Sequence, residues 1–139
     1  MTEQEKKRRL QGYAFLLAHQ KNLELEIEEL RQKYASASVN IGDGMPHSHN
    51  ASDLSDYIVK LERLMEKLNK SKADCIKAKE AIENAIIGLT DPKERTLMYL
   101  RYVRCLPWDD VALELKYEIR QIFRIHRTAL MHINFKDVI

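Results

Sequence analysis

Arg120, Gln121, Arg124, Arg127 and Thr128 are of the types that bind nucleic acid, and they fall within nine residues near the end of a 139-residue chain. Arginine pairs bidentately with guanine or with phosphate, glutamine with adenine, and threonine with either bases or phosphates. At 100° per residue, with Ile119 as zero, Ile119, Ile122, Phe123, His126, Ala129, Leu130 and Ile133 fall between about 280° and 40°. Arg120, Arg124 and Arg127 fall between about 80° and 140°. One face of a helix running from about Glu118 to His132 is therefore core, and the adjoining face is an arginine stripe. Gln121, at about 200°, flanks the stripe at the helix N-terminus, the part of a recognition helix that meets base edges. Lys116, just upstream, is a further cation within reach. Arginines at this spacing also mark an ordinary solvated face, so the preceding residues must decide.

Other reactive side chains carry less. His126 lies in the centre of the apolar face, where a hydrogen-bonded core histidine is expected rather than a ligand or base. Trp108 reads as core. His47-Ser48-His49, with Asp43 and Asp53 nearby, lacks a third ligand on a rigid element, so no metal site is expected. Cys75 and Cys105 form no CxxC pair, which fits a reducing compartment and neither zinc nor a disulfide framework. There is no nucleophile with a paired base, no carboxylate pair and no Gly-rich phosphate loop. No enzyme, catalytic residue or cofactor is expected.

The elements that position the stripe can be read upstream. Asp91-Pro92-Lys93-Glu94 has a capping aspartate, a proline suited to the first helical position and a glutamate placed for a capping box. A helix from Pro92 to about Arg104 follows, with Leu97, Leu100, Tyr102 and Val103 on one side. Pro107 opens a short helix with Asp109 and Asp110 in its first turn and Trp108, Val111, Ala112 and Leu115 facing inward. Only Lys116 and Tyr117 separate it from the arginine-bearing helix. Two helices joined by so short a turn are the arrangement of a helix-turn-helix, which makes the stripe a DNA-contacting face.

The rest of the chain reads as a scaffold. Tyr13, Leu16, Gln20, Leu23, Ile27, Leu30 and Tyr34 recur at spacings of 3 and 4 and predict one long helix. Residues 35–52 lose the period and collect Ser, Gly, Asn and Pro, which predicts a loop. A second series, Leu54, Ile58, Leu61, Met65, Leu68, Lys72, Cys75, Lys79, Ile82, Ile86 and Leu89, follows Ser52-Asp53 as the helix cap. The expected fold is all-α: an antiparallel coiled-coil hairpin over 1–90, then a three-helix module over 91–139. A two-helix layer buries little, so a homo-oligomer, with a dimer favoured, is expected. The formal net charge is +2, and residues 1–90 balance at 14 Lys/Arg against 14 Asp/Glu. The surplus lies in residues 116–139, with 5 against 2. No apolar stretch approaches the roughly 18 residues of a membrane span, and Lys6-Lys7-Arg8-Arg9 is not followed by an apolar leader segment, so a cytoplasmic protein and no membrane partner are expected.

Leu100-Arg101-Tyr102, Trp108-Asp109-Asp110-Val111-Ala112, Leu115-Lys116-Tyr117 and Arg120-Gln121-Ile122-Phe123-Arg124 through Leu130 resemble region four of sigma-70 family factors. The chain is more closely similar to the RinA and ArpU group of phage and prophage transcription regulators, which also carry a helical N-terminal part with a Gly/Pro-containing loop, here Gly42-Asp43-Gly44-Met45-Pro46. The resemblance implies binding of double-stranded DNA near promoters in a bacterial host cell, with RNA polymerase as a further partner. It departs from the pattern at Glu118, where a serine would open the recognition helix, and at Lys116, where the turn would hold glycine. Only the C-terminal module of a sigma factor is matched, so an activator or accessory factor is implied, not a complete sigma factor. Two alternatives stay open: a small terminase-like packaging subunit, although there the DNA module usually comes first, and a coiled-coil adaptor that does not bind DNA.

Overall fold

A computed structural model describes residues 1–39 and 51–136. Every element among them is helical: α1 (Glu3–Val39), α2 (Ala51–Ile87), α3 (Pro92–Met98), a π-helical turn (Tyr99–Val103), α4 (Trp108–Leu115) and α5 (Ile119–His132). The all-α expectation holds. The first helix extends beyond Tyr34, because Ala35, Ser36 and Ala37 hold no glycine or proline to stop it. The second starts at Ala51, which puts Asp53 in the first turn, where a carboxylate suits the helix dipole. Residues 35–39 and 51–52, expected in the loop, are thus helical, and His47 and His49 lie outside the described residues.

The chain divides into two compact units, one of residues 1–17 with 74–139 and one of residues 18–73. These boundaries fall inside α1 and α2 rather than at residue 90. In the 18–73 unit, Leu23 and Ile27 of α1 are buried. Tyr34 stacks on Tyr57 with ring centroids 4.1 Å apart and planes at 19°. The end of α1 thus meets the start of α2, the sense of an antiparallel pair.

The seam on α2 is not quite the one expected. Leu61 and Leu68 are on it, but the alternate positions are Tyr57, Leu64 and the buried Ser71, while Leu54, Ile58 and Met65 stay 44%, 41% and 43% exposed. In the other unit Cys75, Ala78, Ile82 and Ala85 continue the same 3,4 spacing. Lys72 and Lys79 therefore need not enter a core, because small residues one position earlier fill their places. Ser71 Oγ is buried without a hydrogen-bond partner.

The unit of residues 1–17 and 74–139 holds one core, to which every element contributes. Leu10, Leu97, Val111, Ile122, Ala129 and Ile133 are fully buried in it. Leu10 sits one turn before Tyr13 on the same helix face, so the helical pattern of α1 begins earlier than the aromatic that first reveals it.

Candidate nucleic-acid interface

Asp91 caps α3 by accepting the Lys93 amide at 2.9 Å, with Pro92 at the first helical position. Glu94 does not complete a capping box. Its carboxylate turns inward, where it is buried and meets Nδ1 of His132 at 3.0 and 3.1 Å, tying the start of α3 to the end of α5. The helix expected over 92–104 changes pitch after Met98. The Arg104 amide donates to the Tyr99 carbonyl and the Leu106 amide to that of Leu100, spacings wider than an α-helix allows. Cys105, with φ 58, then lies in the left-handed region and turns the chain toward Pro107.

The widened turn aims two side chains at the later helices. Arg101 lies over Trp108 with its guanidinium 4.5 Å from the ring centre, and its Nη1 donates to the Leu106 carbonyl at 3.0 Å. Tyr102 reaches His126, with its hydroxyl 2.6 Å from Nε2. Burial, with Lys7 and Arg101 as nearby cations, lowers the His126 pKa to about 4, and burial pushes the Tyr102 phenol up to about 12. Both groups are therefore neutral at pH 7, and the histidine tautomer sets which of them donates in the hydrogen bond between the phenol oxygen and Nε2. Trp108 adds an edge contact to His126 at 4.7 Å and another to Phe123 at 5.5 Å. His126 is a core residue, as its place on the apolar face implied.

Pro107 caps α4, which begins at Trp108, one residue later than expected; the Asp110 and Val111 amides donate to the Pro107 carbonyl. After Leu115, residues 116–118 form the turn that leads to α5. Lys116 adopts φ 57, ψ 40, and the Tyr117 amide donates back to Ala112 O at 3.1 Å. This is the left-handed helix end at which glycine is favoured. Glu118 then enters α5 without a side-chain cap, its carbonyl receiving the Gln121 and Ile122 amides.

On α5, Ile122, His126, Ala129 and Leu130 are buried against the unit's core. Arg120, Gln121, Arg124, Arg127 and Thr128 are all exposed, as is Lys116 in the turn. The structure therefore brings the six sequence-chosen residues onto the turn and the outer side of one helix. Thr128 is partly engaged, since its hydroxyl donates to the Ile125 carbonyl at 2.9 Å. Two apolar assignments change: Ile119 and Phe123 are 40% and 44% exposed. Phe123 lies about 80° from the centre of the buried stripe, and Ile119 is the first residue of the helix, so neither is enclosed.

The surroundings of the stripe are not uniformly basic. Asp109 and Asp110 are exposed in the first turn of α4, and a groove of about 610 Å³ is lined by Asp109, Ala112, Leu113, Lys116, Tyr117 and Glu118. Lys6 is the contributor that no motif revealed. Its ammonium donates to the Leu130 carbonyl at 2.9 Å, satisfying an end of α5 from a position 124 residues away. Arg9 likewise covers the Phe135 ring at 4.7 Å. The basic run at 6–9 is read in sequence only as a failed leader, and the one clue to its docking was the register of Leu10 with Tyr13.

Among the described residues no helix is long and apolar enough to cross a membrane. The family model described as "Protein of unknown function (DUF1492)" matches residues 36–134. Neither the curated proteins nor the solved structures give a match.

Proposed function

The chain belongs to the DUF1492 family, and on that premise we propose that it is a DNA-binding transcriptional regulator of phage or prophage genes that works as a homodimer in the bacterial cytoplasm. The observation that carries the reading is α5: five residues suited to bases and phosphates on its open side, with the opposite side buried, directly after a three-residue turn from α4. In this reading α5 enters the major groove. Arg120 and Gln121, at its N-terminal end, read base edges, while Arg124, Arg127 and Lys116 neutralise phosphates. RNA polymerase is a further partner by resemblance.

The adaptor alternative draws support from the acids. Asp109, Asp110 and Glu118 are exposed beside Lys116 and would repel a phosphate backbone brought close to them. Binding isotherms over a salt series, on a selected site and on random duplex, separate the two readings. Arg120→Ala is expected to cost roughly 1–3 kcal/mol on the selected site and to relax discrimination. Arg124→Ala or Arg127→Ala is expected to weaken both duplexes and to lower the salt slope by about one. All three positions are exposed, so melting temperatures should stay at the parental value. Parental isotherms for all three variants would leave the adaptor reading in front.

A further inference from the structure

Between α1 and α2 of the 18–73 unit runs a groove of about 380 Å³, lined by Glu26, Glu29, Leu30, Lys33, Lys60, Arg63 and Leu64. Its floor is apolar, made by the half-buried Leu30 and Leu64. Its two rims differ in sign over most of their length: α1 contributes two acids, Glu26 and Glu29, and α2 two bases, Lys60 and Arg63, with Lys33 a further base at the Tyr34 end of the α1 rim. Glu26, Glu29, Lys60 and Arg63 are exposed, and among the described residues none of them has an ion-pair partner within 4.0 Å.

A surface with an apolar floor, an acidic rim and a basic rim is complementary to itself under one kind of two-fold rotation. Turning a second copy about an axis parallel to the helices sets its α2 against α1 of the first copy at the same height, and its α1 against α2. Glu26 and Glu29 then face Lys60 and Arg63 of the second copy twice over, as an isologous interface requires. Turning it about an axis across the groove sets α1 on α1 and α2 on α2, which opposes like charges. We propose that this groove is the homodimer interface, closed by the same groove of a second copy with α1 packed on α2 across a two-fold axis parallel to the helices. The proposal deepens the dimer in the functional reading and rests on it, but it does not depend on DNA binding.

Sedimentation equilibrium of the full chain at tens of micromolar tests it. The parent is expected to be a dimer. Reversing one rim, by Glu26→Lys with Glu29→Lys or by Lys60→Glu with Arg63→Glu, is expected to weaken self-association at least tenfold while helicity and DNA affinity per protomer persist. A chain with both rims reversed restores the complementarity and should dimerise like the parent. Mixed with tagged parent, it should form few mixed dimers, because acid would then face acid. Predominant mixed dimers would overturn the axis. A dimer unaffected by rim reversal but abolished by Ile58→Lys would overturn the groove and move the interface to the Leu54, Ile58 and Met65 stripe, leaving the dimer itself intact. A parent that sediments as a monomer would remove both this interface and the dimer from the functional reading, whatever the DNA isotherms show.

Discussion

His126 and Tyr102 form the buried titratable pair of the unit that holds α3 to α5. His126 is buried with its pKa lowered to about 4, against the ordinary histidine value of 6.5, so the folded state holds it neutral. Its contribution to stability is complete above about pH 6.5 and is lost as pH falls through that value toward 4, because the unfolded chain takes up the proton first. A shift of this size corresponds to roughly 3 kcal/mol. Thermal melts between pH 7 and 4 should show a fall of that order that His126→Gln does not show. Tyr102→Phe removes the hydrogen-bond partner of Nε2, and a phenol that donates there favours the neutral ring. The variant should cost about 1–2 kcal/mol at pH 7 and move the histidine titration, followed by NMR, toward 6.5. An unmoved titration would mean that burial and the Lys7 and Arg101 charges set the pKa without the hydrogen bond.

At the scale of the elements, the turn between α4 and α5 stands out because it works without glycine. Lys116 holds a left-handed conformation that costs a β-carbon-bearing residue about 1 kcal/mol. Lys116→Gly should therefore raise stability by about 0.5–1 kcal/mol in denaturant unfolding. If Lys116 contacts phosphate, the same variant should lose about one unit of salt slope, so stability and DNA affinity move in opposite directions. Loss of both would show the lysine side chain to be structural. The π-helical turn is the other element with a visible task. Its extra residue per turn lets Arg101 cover Trp108 while the adjacent Tyr102 reaches His126.

For the molecule as a whole, the start of α1 belongs to the same compact unit as α3 to α5. Leu10 is fully buried there, and Lys6 closes the end of α5. Leu10→Ala should lower the stability of that unit by about 2–5 kcal/mol, the range for a buried leucine. A chain shortened to begin at residue 18 should lose cooperative melting of α3 to α5, seen as loss of the near-ultraviolet signal of Trp108. Parental melting of the shortened chain would show that residues 74–139 hold together without the start of α1.

The sequence by itself determined what depends on neighbours along the chain. Proline and aspartate at the helix starts, the 3,4 spacing of Tyr13 through Tyr34, and the opposition of Ile122, His126 and Ala129 to three arginines specified the helices and the open face of α5. It also located the α4–α5 reversal at Lys116, although it could not show that a lysine would adopt glycine's conformation. Where contacts join distant residues, only the tertiary structure decided. Leu54-Ile58-Met65 and Tyr57-Leu64-Ser71 both complete a heptad with Leu61 and Leu68, and the partner helix selected the second set because small and aromatic residues fit against it. Glu94 satisfies the local rule for a capping box, yet its carboxylate is held by His132, 38 residues away. Lys6 carries no motif at all; its role exists only because folding brings the carbonyl of Leu130 to within 2.9 Å of its ammonium.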